Sequence, residues 1–156
     1  MLLYLLRHAE AVDEAASDAA RALTTKGMAQ ARKVGKFCVK NEVIPSIILT
    51  SPLKRAEQTA RLVAKEIKNA EFIVCPFLAS GMQPETALDE LKVYSRFPSL
   101  MLVGHEPDFS LLAAHLLGLQ LHESLHLRKA SLTAMNLEAL RPGAAVLNFA
   151  IPPKLM

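Results

Sequence analysis

The chain has no tryptophan, only 5% aromatic residues, two cysteines and no long apolar run. Few aromatics and no basic stripe between them leave no stacking platform for bases. The net charge of +3 and an isoelectric point near 9.0 therefore do not argue for a nucleic-acid partner. No apolar stretch approaches the ~20 residues of a membrane span, so no membrane partner is expected. The start at Met1-Leu2-Leu3 lacks the basic flank and small-residue cleavage site of a secretory signal, and a cytoplasmic location is expected. Cys38 lies in a helical pattern and Cys75 at the end of a strand pattern, without metal-type spacing. Two reduced, buried thiols are expected rather than a disulfide or a zinc site. A Gly-rich phosphate loop with its lysine is also missing, as is a carboxylate cluster for Mg²⁺, so no cofactor and no metal is expected.

What is present is a hydrophobic share of 51% over 156 residues, enough to bury a core as one domain. The apolar run Leu2 to Leu6 reads as a buried strand that breaks into Arg7-His8-Ala9-Glu10. A polar loop from Glu10 to Leu23 follows, longer than the usual two to six residues of such a connection and hence a candidate functional loop. Thr24 or Thr25 caps a helix to about Asn41 that buries Ala29, Val34, Phe37 and Cys38. Ser46 to Thr50 is a short strand, and Ser51-Pro52, a cap residue before a first-turn proline, opens a helix to about Lys68. Phe72 to Cys75 is a third strand, Gly81 lies in the next loop, and Pro84 begins a helix that ends near Phe97. Leu100 to Val103 is a fourth strand leading into Gly104-His105-Glu106-Pro107 and a helix that stops at Gly118. Two strands, Ser131 to Leu137 and Ala145 to Ile151, flank a turn at Pro142-Gly143. Alternating strands and helices predict a three-layer α/β/α sandwich on a mostly parallel sheet, with an antiparallel edge strand from the last hairpin.

If the first, second and fourth strands are parallel, Arg7-His8, Ser51 with Arg55, and Gly104-His105 open on one sheet edge. Two guanidiniums and two imidazoles there suit a phosphoryl group, since arginine binds its oxygens bidentately and the pocket itself supplies the positive charge. A neutral imidazole is a nitrogen nucleophile near pH 7, and neighbouring arginines disfavour its protonated form. One nitrogen of His8 must face phosphorus, so the other should be held by a backbone carbonyl or similar acceptor.

Arg7-His8-Ala9-Glu10, the stretch Ser51 to Ala60 (SPLKRAEQTA) and Gly104-His105-Glu106 resemble the histidine phosphatase superfamily, the branch shared with phosphoglycerate mutases. The short chain, the loop Asp13 to Asp18 with Arg21, and Leu23-Thr24-Thr25-Lys26-Gly27 are similar to its SixA-type phosphohistidine phosphatases. The resemblance implies a phosphoglycerate mutase-like fold, His8 as nucleophile, Arg7 and Arg55 as phosphate-binding arginines, and His105 as donor to the phosphoryl oxygens. It adds Arg21 as a further pocket arginine.

There are two departures from the family pattern. Ala9 stands where most members have glycine, and Leu78-Ala79-Ser80-Gly81 holds no glutamate where larger members carry a general acid. An imidazole leaving group is far less basic than an alkoxide, with a pKa of about 6.5, so it needs less proton assistance. The missing acid points to phosphohistidine in a protein, such as a histidine phosphotransfer domain, as the phosphorylated partner. Asp18, Glu85 and Glu106 are the remaining candidate proton donors. The same residues also fit a small-molecule phosphomonoesterase, or a module that binds phosphoprotein without turning it over. His115, His122 and His126 have the spacing of neither a zinc site nor a triad and are expected to be structural.

Overall fold

The computed structural model describes residues 1–68, 70–120 and 125–156. His122 lies outside the described residues.

Six strands, β1 (Leu2–Arg7), β2 (Ile47–Thr50), β3 (Phe72–Val74), β4 (Ser99–Gly104), β5 (Leu132–Leu137) and β6 (Ala145–Ile151), form one sheet in the order β3-β2-β4-β1-β5-β6. The first four are parallel to their neighbours among themselves, whereas β5 runs antiparallel to β1 and β6 antiparallel to β5. The antiparallel element thus comprises two strands at one edge. β1 and β4 are apolar throughout their centres because both sheet faces are covered. Leu3, Leu5, Leu100 and Leu102 face one hydrophobic cluster, while Tyr4, Leu6, Met101 and Val103 face the other.

Helices α1 (Thr25–Lys40) and α2 (Lys54–Glu66) cover the second of these faces with Val34, Cys38, Ala60 and Val63. Helices α3 (Pro84–Leu91) and α4 (Asp108–Leu117) cover the first with Leu88, Leu91, Phe109 and Leu112. This is the expected three-layer α/β/α arrangement. None of the helices is long and apolar enough to cross a membrane, among the described residues. Both cysteines are buried and free, and burial pushes the Cys38 thiol up to about 12.

Three local expectations are corrected. α1 buries Ala31 in place of Ala29, which is exposed. The stripe Ala31, Val34, Gly35, Cys38 follows i, i+3, i+4, i+7, and Ala29 is out of phase with it. Gly35 marks the crossing of α1 and α2, since a Cβ there would meet Glu66 Cβ at 2.6 Å. α3 ends at Leu91, where a 3-10 turn over Lys92–Tyr94 replaces the expected continuation to Phe97. α2 begins at Lys54, not at Ser51-Pro52, and its cap residue Leu53 is extended. Ser51 belongs to the sheet end instead, because its N–H donates to the Val103 carbonyl at 2.9 Å.

The β1–α1 loop is tied back on itself. Ala11 bridges Leu23, a 3-10 turn spans Asp18–Ala20, and Thr24 N donates to the Glu10 carbonyl at 3.0 Å while its hydroxyl caps α1 at Gly27. Gly27 has to be glycine for this path, since any Cβ would land on the Glu10 carbonyl.

Candidate active site

The sheet register aligns the strand ends that matter. Arg7 pairs with Gly104 and Thr50 with Val103, so the chain leaves β1, β2 and β4 at one level through Arg7-His8, Ser51 and Gly104-His105. From β1 the chain passes to the α1 face and from the adjacent β4 to the α4 face, and the crevice between such diverging strands is where α/β sheets bind ligands. Arg55 joins them as the second residue of α2.

His8 is 7% exposed and held by several bonds. Its N–H donates to the Gly104 carbonyl at 2.9 Å, and Ala130 N donates to its carbonyl at 3.2 Å. Nδ1 donates to the Ala9 carbonyl at 2.8 Å, the backbone acceptor that the nucleophile reading requires. The proton is thereby on Nδ1, and Nε2 carries the lone pair. That lone pair faces Arg55, whose Nε is 3.3 Å away. The His105 ring lies with its centroid 5.2 Å from that of His8. His105 Nε2 is 2.7 Å from Ser51 Oγ, which also accepts from Leu53 N at 3.2 Å. His105 Nδ1 is buried without a hydrogen-bond partner among the described residues, as is Arg7 Nε. Arg7 is anchored by Nη1 to the Leu127 carbonyl at 2.8 Å.

The electrostatics keep both rings neutral. Burial is the main cause that brings His8 down to about 3, helped by His105, Arg55 and Arg7 and opposed by the Ala9 carbonyl. His105 falls to about 4 through burial first, then Arg55, with Arg7 contributing less. A histidine in the unfolded chain titrates near ~6.5, so both rings take up protons on unfolding at lower pH. Their contribution to stability is fully present above about pH 6.5 and is lost as pH falls toward 4. Urea midpoints measured between pH 7 and 4 should fall, and fall less in a His105→Asn variant. Parallel profiles for the two proteins would disprove this source of acid sensitivity.

The candidate residues do not all converge. Arg7, His8, Arg55 and His105 do, and Asp18 joins them. Arg55 Nη1 donates to the Asp18 carbonyl at 2.8 Å and Nη2 to its Oδ2 at 3.0 Å. Arg21 sits one step out, bonded to Asp18 Oδ1 at 3.1 Å and to the Val12 carbonyl at 2.6 Å. These two guanidiniums, Arg21 first, hold the Asp18 carboxyl below the usual carboxylate range, so it is ionised and accepts rather than donates protons. Glu106 acts on the Arg7 guanidinium from a distance, but its Oε1 is taken up elsewhere, accepting from Ser110 Oγ at 2.7 Å and Leu127 N at 3.0 Å. Glu85 is exposed on α3, 3.8 Å from His115 Nδ1 on α4, and has no contact with the cluster among the described bonds. Sequence reasoning missed Ser51 as the partner of His105 and Thr59 as a latch. Thr59 Oγ1 accepts from Ala9 N at 3.1 Å and donates to the Arg55 carbonyl at 2.7 Å. Both lie within the quoted Ser51 to Ala60 motif, so their presence was visible although their roles were not. Among the described residues no group of His, Cys, Asp and Glu is arranged to hold a metal ion.

The family model of the Histidine phosphatase superfamily (branch 1) matches residues 3–79. An uncharacterised protein of Picosynechococcus sp. is 36% identical over 153 residues, 93% of this chain and 87% of that protein. Phosphohistidine phosphatase SixA of Escherichia coli is 39% identical over 59 residues, 38% of this chain and 37% of that one. The structure of a protein histidine phosphatase SixA complexed with tungstate has the same fold, with a TM-score of 0.90 at 24% identity over 99% of both chains. With the family match running from β1 through the loop after β3, and the fold shared end to end, this chain belongs to the histidine phosphatase superfamily and is a phosphatase.

Proposed function

We propose that the chain removes the phosphoryl group from phosphohistidine in a protein, with His8 as the nucleophile. His8 Nε2 attacks phosphorus while the bond from phosphorus to the substrate nitrogen breaks. The substrate ring, protonated on its far nitrogen, leaves as neutral imidazole. Water then attacks phosphorus, the bond to Nε2 breaks, and inorganic phosphate and neutral His8 are regenerated. Arg7 and Arg55 hold the phosphoryl oxygens and offset the charge as it redistributes. Ser51, already accepting from Leu53, donates to His105 Nε2, which puts the proton of neutral His105 on Nδ1 and equips that buried nitrogen to donate to a phosphoryl oxygen.

The observation that carries the choice of substrate is the state of the carboxylates. Asp18 is ionised between two arginines, Glu106 is engaged with Ser110 and Leu127, and Glu85 lies on α3, so no protonated carboxyl stands beside His8 to assist an alkoxide. A leaving imidazole is the group that departs readily without one. Rates on a chemically phosphorylated histidine phosphotransfer domain, set against a panel of sugar phosphates and phosphoglycerate, test this. The expected order is phosphohistidine well above every ester, and comparable or faster ester hydrolysis overturns it.

Ser51 enters this scheme only as a positioning residue. Losing its hydroxyl removes a hydrogen bond worth about 1 kcal/mol, so Ser51→Ala should lower kcat about fivefold with KM nearly unchanged. Steady-state kinetics on the phosphorylated domain check it, and a rise in KM at constant kcat would assign Ser51 to substrate binding instead.

A further inference from the structure

Beside the phosphoryl site, and sharing Arg7 with it, lies an open groove of about 540 Å³. Its rim carries Lys26 from the first turn of α1, Arg128 and Lys129 from the segment before β5, and Lys154 after the proline pair that follows β6. Of these, only Lys26 has an ion-pair partner among the described residues, Glu10 at 2.8 Å. Lys129 also acts on Glu10 through space, and Glu106, the other carboxylate that faces Arg7, is engaged with Ser110 and Leu127. Arg128, Lys129 and Lys154 thus make no direct ion pair among the described residues, and only Lys129 has a carboxylate, Glu10, acting on it from a distance. The cations come from three parts of the chain, Lys26 lying more than a hundred residues before Arg128, and the fold brings them to one side of the nucleophile. The Arg128-Lys129 segment is fixed there, because the next residue, Ala130, donates to the carbonyls of Arg7 and His8 at 3.1 and 3.2 Å.

We infer that this groove docks an acidic segment of the phosphorylated protein, carboxylates lying to one side of the phosphohistidine and contacting Arg128, Lys129 and Lys154 while the phosphoryl group enters between Arg7 and Arg55. This rests on the proposed phosphohistidine reading and adds the partner's charge to it. An extended carboxylate-bearing segment matches the groove in sign and in shape. The opening is shallow and lies along the surface, a form that suits a chain laid across it rather than an enclosed small molecule. Among the described lining residues His126 supplies a single aromatic ring, too few to stack the successive bases of a polynucleotide.

The test uses two synthetic phosphohistidine peptides of equal length, one with glutamates on one flank of the phosphohistidine and the other with glutamines there. Two exposed cations and the half-buried Lys129 contribute little each but add, so the wild-type chain should prefer the acidic peptide about tenfold in kcat/KM at low salt. That preference should shrink as ionic strength rises and the Debye length falls from ~30 Å toward ~8 Å. An Arg128→Ser/Lys129→Ser/Lys154→Ser variant should lose the preference while keeping its rate on the glutamine peptide within about twofold. Equal rates on both peptides with the wild-type chain overturn the docking surface and leave the phosphohistidine reading standing. If neither peptide is turned over, that reading fails and the groove is judged on binding alone. Tighter wild-type binding of the unphosphorylated acidic peptide, abolished in the variant, then supports it, and indifference overturns it. Groove-dependent binding of a mixed-sequence single-stranded DNA in preference to the acidic peptide would also overturn it.

Discussion

Replacement of His8 by alanine is expected to lower phosphatase turnover by about four orders of magnitude or more, because it removes the proposed phosphoryl acceptor and leaves only binding and charge stabilisation. The fold should survive. His8 is a buried, neutral ring whose side chain makes two hydrogen bonds, one to the Ala9 carbonyl and one from Arg55 Nε, so their loss costs about 2 kcal/mol. The companion measurement is a trapping experiment. Wild-type protein mixed with labelled substrate and quenched in alkali should carry phosphate on the peptide containing His8, in an acid-labile linkage, and the variant should carry none. Label at another residue, or turnover that persists in the variant, would remove His8 from the centre of the reaction.

Arg55 gives the second large effect. It is 5% exposed and reaches three groups at once, His8 Nε2 and both the backbone and the side chain of Asp18. Arg55→Ala should reduce kcat/KM about a thousandfold, the scale of losing a preorganised charge donor in a buried site. Arg55→Lys should recover only a small part, since a single ammonium cannot reproduce the planar fork that meets Nε2 and Asp18 together. Taking away a positive neighbour also lessens the depression of the His8 and His105 imidazoliums. The acid limb of kcat/KM should therefore move upward in pH in the alanine variant and stay lower in the lysine variant. An alanine variant with wild-type kcat/KM would show that Arg55 is a tether for Asp18 and no part of the chemistry.

Much of this site can be read along the chain because its carriers are local punctuation. An apolar run that stops at Arg7-His8, a strand that stops at Gly104-His105 and a helix opening near Arg55 are each visible within ten residues. The parallel register then follows from crossovers that a βαβ pattern makes almost obligatory. What could not be read depends on contacts between distant segments. Ser51 has the profile of a helix cap beside Pro52, and only the pairing of β2 with β4 turns its hydroxyl toward His105. Asp18 presents itself as one acid in a polar loop, and its ionised state comes from guanidiniums that include one 37 residues away. The burial of Ala31 in place of Ala29 was a matter of helical phase, which small residues mark weakly because alanine is tolerated on either side.

The Thr59 latch has a consequence for the speed of the reaction. His8 is tied through its own backbone to β4 and to Ala130, and through its neighbour Ala9 to the turn of α2 that begins at Arg55. The His8 ring and the Arg55 guanidinium, the proposed attacking nitrogen and phosphate-binding group, therefore move as one body. The conformational freedom that each would surrender to meet in a reactive geometry is given up once, when the sheet closes, and not again at every turnover. Loosening Thr59 should accordingly appear as a more unfavourable activation entropy, with little change in the activation enthalpy of phosphoryl transfer.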